Sequence, residues 1–161
     1  MAGITRDEGT TLVSEVYPEF FVNRTISKEA FKEFVREANN DFHNIDIENI
    51  TEYYLRNINS NDTEVIQSRL FDFFGDFLIK CPTYLFAKRY AEHSSDKTRV
   101  FFYELTYAMG SEVIFHAADL LYLFGYPLSG DQFPKEDKEF SKTIINYWTN
   151  FAKHGYYYAK P

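Results

Sequence analysis

The chain has 161 residues, a length suited to one ordinary domain, and 45% of them are hydrophobic and 19% aromatic. That apolar load supports a real core and excludes wholesale disorder. Seventeen basic against 24 acidic side chains leave a net charge of -7, which argues against a surface for nucleic acid or an anionic membrane.

In chain order, residues 1–4 read as the tail of a strand that delivers an acidic turn, Arg6-Asp7-Glu8-Gly9. Residues 10–21 read as a mixed apolar connector. Residues 27–38 predict a helix: Ser27 suits the N-cap, and Ala30, Phe31, Phe34, Val35 and Ala38 follow i, i+3, i+4, i+7 spacing. Residues 46–57 predict a second, weaker helix. A third spans residues 62–79, with Val65, Ile66, Leu70, Phe73, Phe74 and Phe77 on a broad apolar face. Cys81-Pro82 breaks the pattern and opens a helix to about Glu92. Residues 94–97 form a polar turn. Residues 99–107, β-branched and aromatic on both faces, predict a strand inside a covered sheet. A loop over 108–115 leads to His116, and residues 117–124 predict a short helix closed by Gly125-Tyr126-Pro127. The last helix runs from Pro134 to Lys153, with Glu136 and Asp137 in its first turn and Gly155 beyond its end. This inventory holds one full strand and one remnant, so further strands are expected in the loops or outside the chain.

Three sequons, at Asn23, Asn49 and Asn61, fit N-x-[ST]. They are read either as chance or as marks of a secreted glycoprotein whose true start lies before Met1. Residues 1–9 lack the features of a signal peptide, and no stretch approaches the roughly 20 apolar residues of a membrane span. The one cysteine, Cys81, can make no internal disulfide. No His, Cys and acid spacing suggests a metal site. His43, His93 and His154 stand in no motif, and a solvated role is expected for each.

Two residues stand out by position. Glu8 lies in the turn after the first strand remnant and His116 in the loop after the strong strand. In open α/β sheets, catalytic groups gather beyond the carboxyl ends of strands. In the order Ser, acid, His, they would be the second and third members of a hydrolase triad.

The motifs around them resemble those of the type-B carboxylesterase and cholinesterase family. Gly3-Ile4-Thr5-Arg6-Asp7-Glu8-Gly9 is similar to its G-[VI]-x-x-[DN]-E-G turn. Gly75-Asp76-Phe77-Leu78-Ile79-Lys80-Cys81-Pro82 resembles its C-P segment. The run from His116 to Leu128 resembles its H-[AG]-x-[DE]-[LI]-x-[YF]-[VL]-F-G-x-P-L box, and Ile145 to Gly155 its closing Y-W-x-N-F-A helix. The resemblance implies the C-terminal part of an α/β-hydrolase fold, mostly helices plus the last strands of the central sheet, spanning residues 1–161. It also implies a small carboxylic ester as substrate and no cofactor. Glu8 would be the triad acid and His116 the base, accepting the nucleophile's proton and returning it to the leaving alcohol. An imidazole's ordinary pKa, about 6.5, suits both jobs. Asp119 would support the catalytic loop or cap its helix. Cys81 would be half of a disulfide whose partner lies beyond Pro161.

There are departures. The stretch from Tyr107 to His116 is short, Val113 stands where a Gly is usual, and Ala118 where an Asp is frequent. None of the seven glycines belongs to a G-x-S-x-G elbow. The nucleophile, the oxyanion glycines and a signal peptide are therefore expected in a preceding part of the same domain. A catalytically dead relative serving adhesion or binding, or an independently folded helical domain, are the competing expectations. Tyr107, Phe115 and Tyr122 are candidates to line a substrate gorge.

Overall fold

The structure, a computed structural model, describes residues 1–18, 26–95 and 98–156. They divide into two units, Asp7–Lys80 and Met1–Arg6 with Cys81–Pro161.

Helices make up the first unit. Ser27 caps α2 (Lys28–Phe42), its hydroxyl accepting from the Ala30 N–H at 3.1 Å, and Phe31, Phe34, Val35 and Ala38 form the buried face. Asp46 caps α3 (Ile47–Leu55) in the same way, accepting from the Asn49 N–H at 3.1 Å. Next comes α4 (Thr63–Gly75), which buries Ile66, Leu70, Phe73 and Phe74; Val65, expected on that face, is exposed. The core is largely aromatic: Phe34 meets Tyr17 edge-on at 5.0 Å and Phe74 at 5.6 Å. Each such ring contributes roughly 1.5–3 kcal/mol through burial alone.

Two stretches differ from the sequence reading. The first part of the connector is a helix, α1 (Gly9–Val16). Eight residues are too few to hold a helix in isolation; Val13, fully buried, anchors this one in the aromatic core. Secondly, the chain does not leave the helical state at Cys81-Pro82. A π-helical turn (Asp76–Lys80) follows α4, and α5 (Cys81–His93) begins directly after it. Pro82 donates no N–H, and its ring would crowd the carbonyl four residues back. A wider π turn ahead of it relieves that conflict without a loop.

The second unit holds the sheet. Strands β1 (Ala2–Thr5) and β2 (Phe102–Leu105) run parallel, with Ala2 opposite Phe102 and Thr5 opposite Leu105. Pairing covers only four residues of the predicted strand, because β1 is the only strand partner among the described residues. Its exposed Phe102 and Glu104 depart from the expectation of two covered faces. Short α6 (Ala118–Leu123), a 3-10 turn (Tyr126–Leu128) and long α7 (Lys135–His154) follow. Gly155 ends α7 at φ 73, a left-handed conformation suited to glycine. The mostly helical chain with a parallel strand pair is compatible with part of an α/β-hydrolase domain.

Beneath β2, Leu105, Ile114, Ala118 and Tyr122 form a second core, where Tyr107 stacks on Phe140 at 4.4 Å. Tyr107 donates its hydroxyl to buried Asp137 at 2.8 Å, and that bond raises the pKa of the phenol above its ordinary 10.0. Tyr122 is 1% exposed and its hydroxyl has no hydrogen-bond partner among the described residues. Burial, aided by the Asp137 charge, raises its pKa strongly. Both phenols thus keep their protons in the folded state at a pH where the unfolded chain loses them. The stabilisation is complete below about pH 10 and is lost as pH rises through the folded-state values. Tyr122→Phe is therefore expected to leave stability at pH 7 within about 1 kcal/mol of the parent, since the hydroxyl bonds to none of the described residues. It should also shrink the loss of stability between pH 9 and about pH 11. Urea midpoints at pH 7 and above pH 10 check both halves.

Candidate functional site

His116 lies in a turn between the buried Ile114 and α6, and is itself half-buried. The Ala118 N–H donates to the Phe115 carbonyl at 3.1 Å, and Ala117 takes a left-handed φ of 65 at the N-cap of α6. This tight entry fixes the backbone on both sides of the imidazole. Asp119 sits in the first turn of α6, and its carboxylate accepts from the Tyr103 hydroxyl of β2 at 2.6 Å. The ring of Tyr103 lies over Gly3: a Cβ there would come within 2.1 Å of it. Trp148 of α7 meets the same ring edge-on at 4.8 Å. The bare Cα of Gly3 thus gives Tyr103 the space from which it ties β2 to the start of the helix behind His116. At the carboxyl end of β1, the Arg6 N–H donates to the Leu105 carbonyl at 3.1 Å, and the Arg6 guanidinium donates to the Glu112 carbonyl in the loop leading to His116.

In the other unit, Glu8 is 3% exposed and occupies the N-cap position of α1, in helical conformation and with no side-chain cap bond. Its setting depends on two glycines. A Cβ on Gly9 would meet the Phe71 carbonyl oxygen at 2.0 Å, and one on Gly75 would meet the Gly9 nitrogen at 2.7 Å and the Glu8 Cβ at 3.3 Å. Helices α1 and α4 therefore touch backbone to backbone beside Glu8.

The remaining sequence candidates are dispersed. Cys81 is exposed at the first residue of α5. Asn49 is exposed in the first turn of α3, its amide donating to Asp46 at 2.7 Å, and Asn61 is exposed just before α4. Asn23 lies outside the described residues. His43, His93 and His154 are exposed. Of the gorge candidates, Tyr122 is buried core, Tyr107 is half-buried in the stack with Phe140, and Phe115 is 38% exposed. Among the described residues no group of three metal-ligating side chains occurs, and no helix is long and apolar enough to cross a membrane. A polar cavity below α3, lined by Tyr53, Arg56, Arg69, Asp72, Asp76 and Lys80, had no counterpart in the sequence reading. Its residues come from the end of one helix and from the next helix with its π turn, and no short motif joins them.

Acid turn, C-P segment, histidine box and closing helix stand in one order on a partial α/β scaffold, and the chain belongs to the carboxylesterase family, whose model matches residues 1–159. It is similar to acetylcholinesterase-1 of Trittame loki, 28% identical over 94% of this chain and 29% of that protein. It is likewise similar to the cholinesterase of Mus musculus, 27% identical over 97% of this chain and 27% of the relative. Acetylcholinesterase of Bungarus fasciatus matches at 26% identity over 96% of the chain. The chain spans less than a third of the length of these relatives.

Proposed function

We propose that this chain is the acid- and base-bearing part of a serine carboxylic-ester hydrolase, with Glu8 and His116 as two members of a Ser-Glu-His triad. The observation that carries the reading is the parallel pairing of β1 and β2. It puts the carboxyl ends of both strands on one edge, and the Glu8 turn follows one strand while the His116 loop follows the other. That edge is where α/β sheets assemble their chemistry.

In the proposed reaction, His116 takes the proton of a serine hydroxyl as it attacks the ester carbonyl, then delivers it to the departing alcohol. Glu8 accepts from the other ring nitrogen, fixes the tautomer and stabilises the imidazolium as it forms. The serine and the oxyanion donors come from the portion of the protein that corresponds to the rest of the relatives' length. The resemblance to cholinesterases and the exposed sequons Asn49 and Asn61 support a secreted, glycosylated protein, with Cys81 bonded to a cysteine outside this stretch.

A fluorophosphonate probe tests the reading. The full-length protein should label once, on a serine in a G-x-S-x-G elbow outside residues 1–161, and the 161-residue chain alone should not label. Labelling within this chain would reject the assignment. No labelling of the full-length protein would instead favour a non-catalytic binding member of the family.

A further inference from the structure

We propose that the cavity beside the end of α3 binds a small organic carboxylate, with Arg56 as its anchor. The cavity has a volume of about 320 Å³ and a mostly polar lining, all from the Asp7–Lys80 unit. That volume is at the lower end of small-molecule sites, roughly 300–1,000 Å³.

Three cations and two carboxylates line it, and four of these five groups are matched. Arg69 donates to Asp72 at 2.7 Å. The Lys80 ammonium lies 3.6 Å from Asp76, which also accepts from the Tyr54 hydroxyl at 2.8 Å. Arg56 is the remainder. Its guanidinium carbon lies 5.0 Å from the centre of the Tyr53 ring, and its N–H donors meet no acceptor among the described residues. The backbone puts it there: α3 ends at Leu55, Arg56 is extended at φ -59 and ψ 134, and Asn57 turns the chain at φ 61. Asparagine tolerates that left-handed conformation better than most residues.

Contact with an aromatic face holds a guanidinium while sparing its in-plane donors. Those donors form a planar fork that suits a carboxylate bidentately. The local excess of one positive charge, in a chain of net charge -7, selects a monoanion. A cationic ligand would have to displace Arg69 or Lys80 from its partner. A phosphate dianion would face repulsion from Asp72 and Asp76.

The test is titration of the full-length protein with benzoate at low ionic strength, followed by calorimetry, beside benzamide as neutral isostere and inorganic phosphate. Saturable benzoate binding is expected, weakened about tenfold or more by Arg56→Gln and less by Arg56→Lys, which keeps the charge but not the fork. Benzamide should not compete. Arg56 is exposed, so unfolding midpoints of both variants should match the parent and separate lost binding from lost fold. Unchanged benzoate affinity in Arg56→Gln, tighter binding of phosphate than of benzoate, or no saturation by about 10 mM benzoate would each overturn the proposal. So would binding lost in His116→Ala but kept in Arg56→Gln, which would put benzoate at the ester site instead.

Discussion

His116→Ala in the full-length protein is expected to abolish turnover of a simple aryl ester, lowering kcat on the order of 10⁴-fold or more with little change in KM. Removing a triad base leaves only the rate enhancement that oxyanion donors and substrate binding supply. Glu8→Gln should lower kcat by a similar order, because the amide cannot support an imidazolium as a carboxylate does. The double variant should be no worse than the worse single, since members of one triad act as a unit. Steady-state kinetics with the single and double variants checks this, and the unfolding midpoint of each shows that the fold survives. Additive losses, or retained activity in either single variant, would reject the assignment of these residues to one triad.

The second large effect concerns stability. Gly75 lies in a helix, where alanine is ordinarily favoured over glycine by about 1 kcal/mol. Steric contact reverses that preference here: the added Cβ would stand 2.7 Å from the Gly9 backbone nitrogen, and backbone cannot step aside as a side-chain tip can. Overpacking of this kind costs about 1–3 kcal/mol and occasionally more, so Gly75→Ala should be clearly destabilising. Gly9→Ala should be worse, because its Cβ would come within 2.0 Å of the Phe71 carbonyl oxygen. Urea unfolding should rank parent above Gly75→Ala above Gly9→Ala. Both substitutions lie beside Glu8, so ester turnover should fall by more than the unfolded fraction explains. A Gly75→Ala variant as stable as the parent would show that α1 and α4 can part at no cost.

Where local chemistry decides conformation, the sequence was readable. Ser27 and Asp46 cap the helices they were placed before or at, and Pro134 and Gly155 bracket α7 within a residue of the expected ends. Where tertiary contact decides, it was not. Residues 9–16 are too short a run to announce a helix, and α1 forms because Val13 enters the aromatic core and its backbone meets α4. The π turn before Cys81 adds one residue to a helical pattern, a change no composition signals; Pro82 marked the place but suggested a break. The pairing of β2 is shorter than its apolar run because the partner strand β1 is only four residues long. Glu8 and His116, the proposed acid and base, stand out in the sequence because each is embedded in a run of neighbours, and the structure gives some of those neighbours local tasks, such as Gly9 beside Gly75 and Asp119 bonded to Tyr103. The cavity at Arg56 gathers side chains from Tyr53 to Lys80 with no motif among them, and only folding brings them together.

The bond from Arg6 to the loop before His116 ends on a main-chain carbonyl, that of Glu112, and not on a carboxylate. Every amino acid offers that acceptor, so the side chain at position 112 can drift among descendants of this gene without loosening the loop. What cannot drift is the count of residues around it. An insertion or deletion between Tyr107 and His116 would move the carbonyl away from the guanidinium, and with it the approach to the histidine. Where the short form of this loop and Arg6 are both kept, the stretch should therefore diverge by substitution while holding its length.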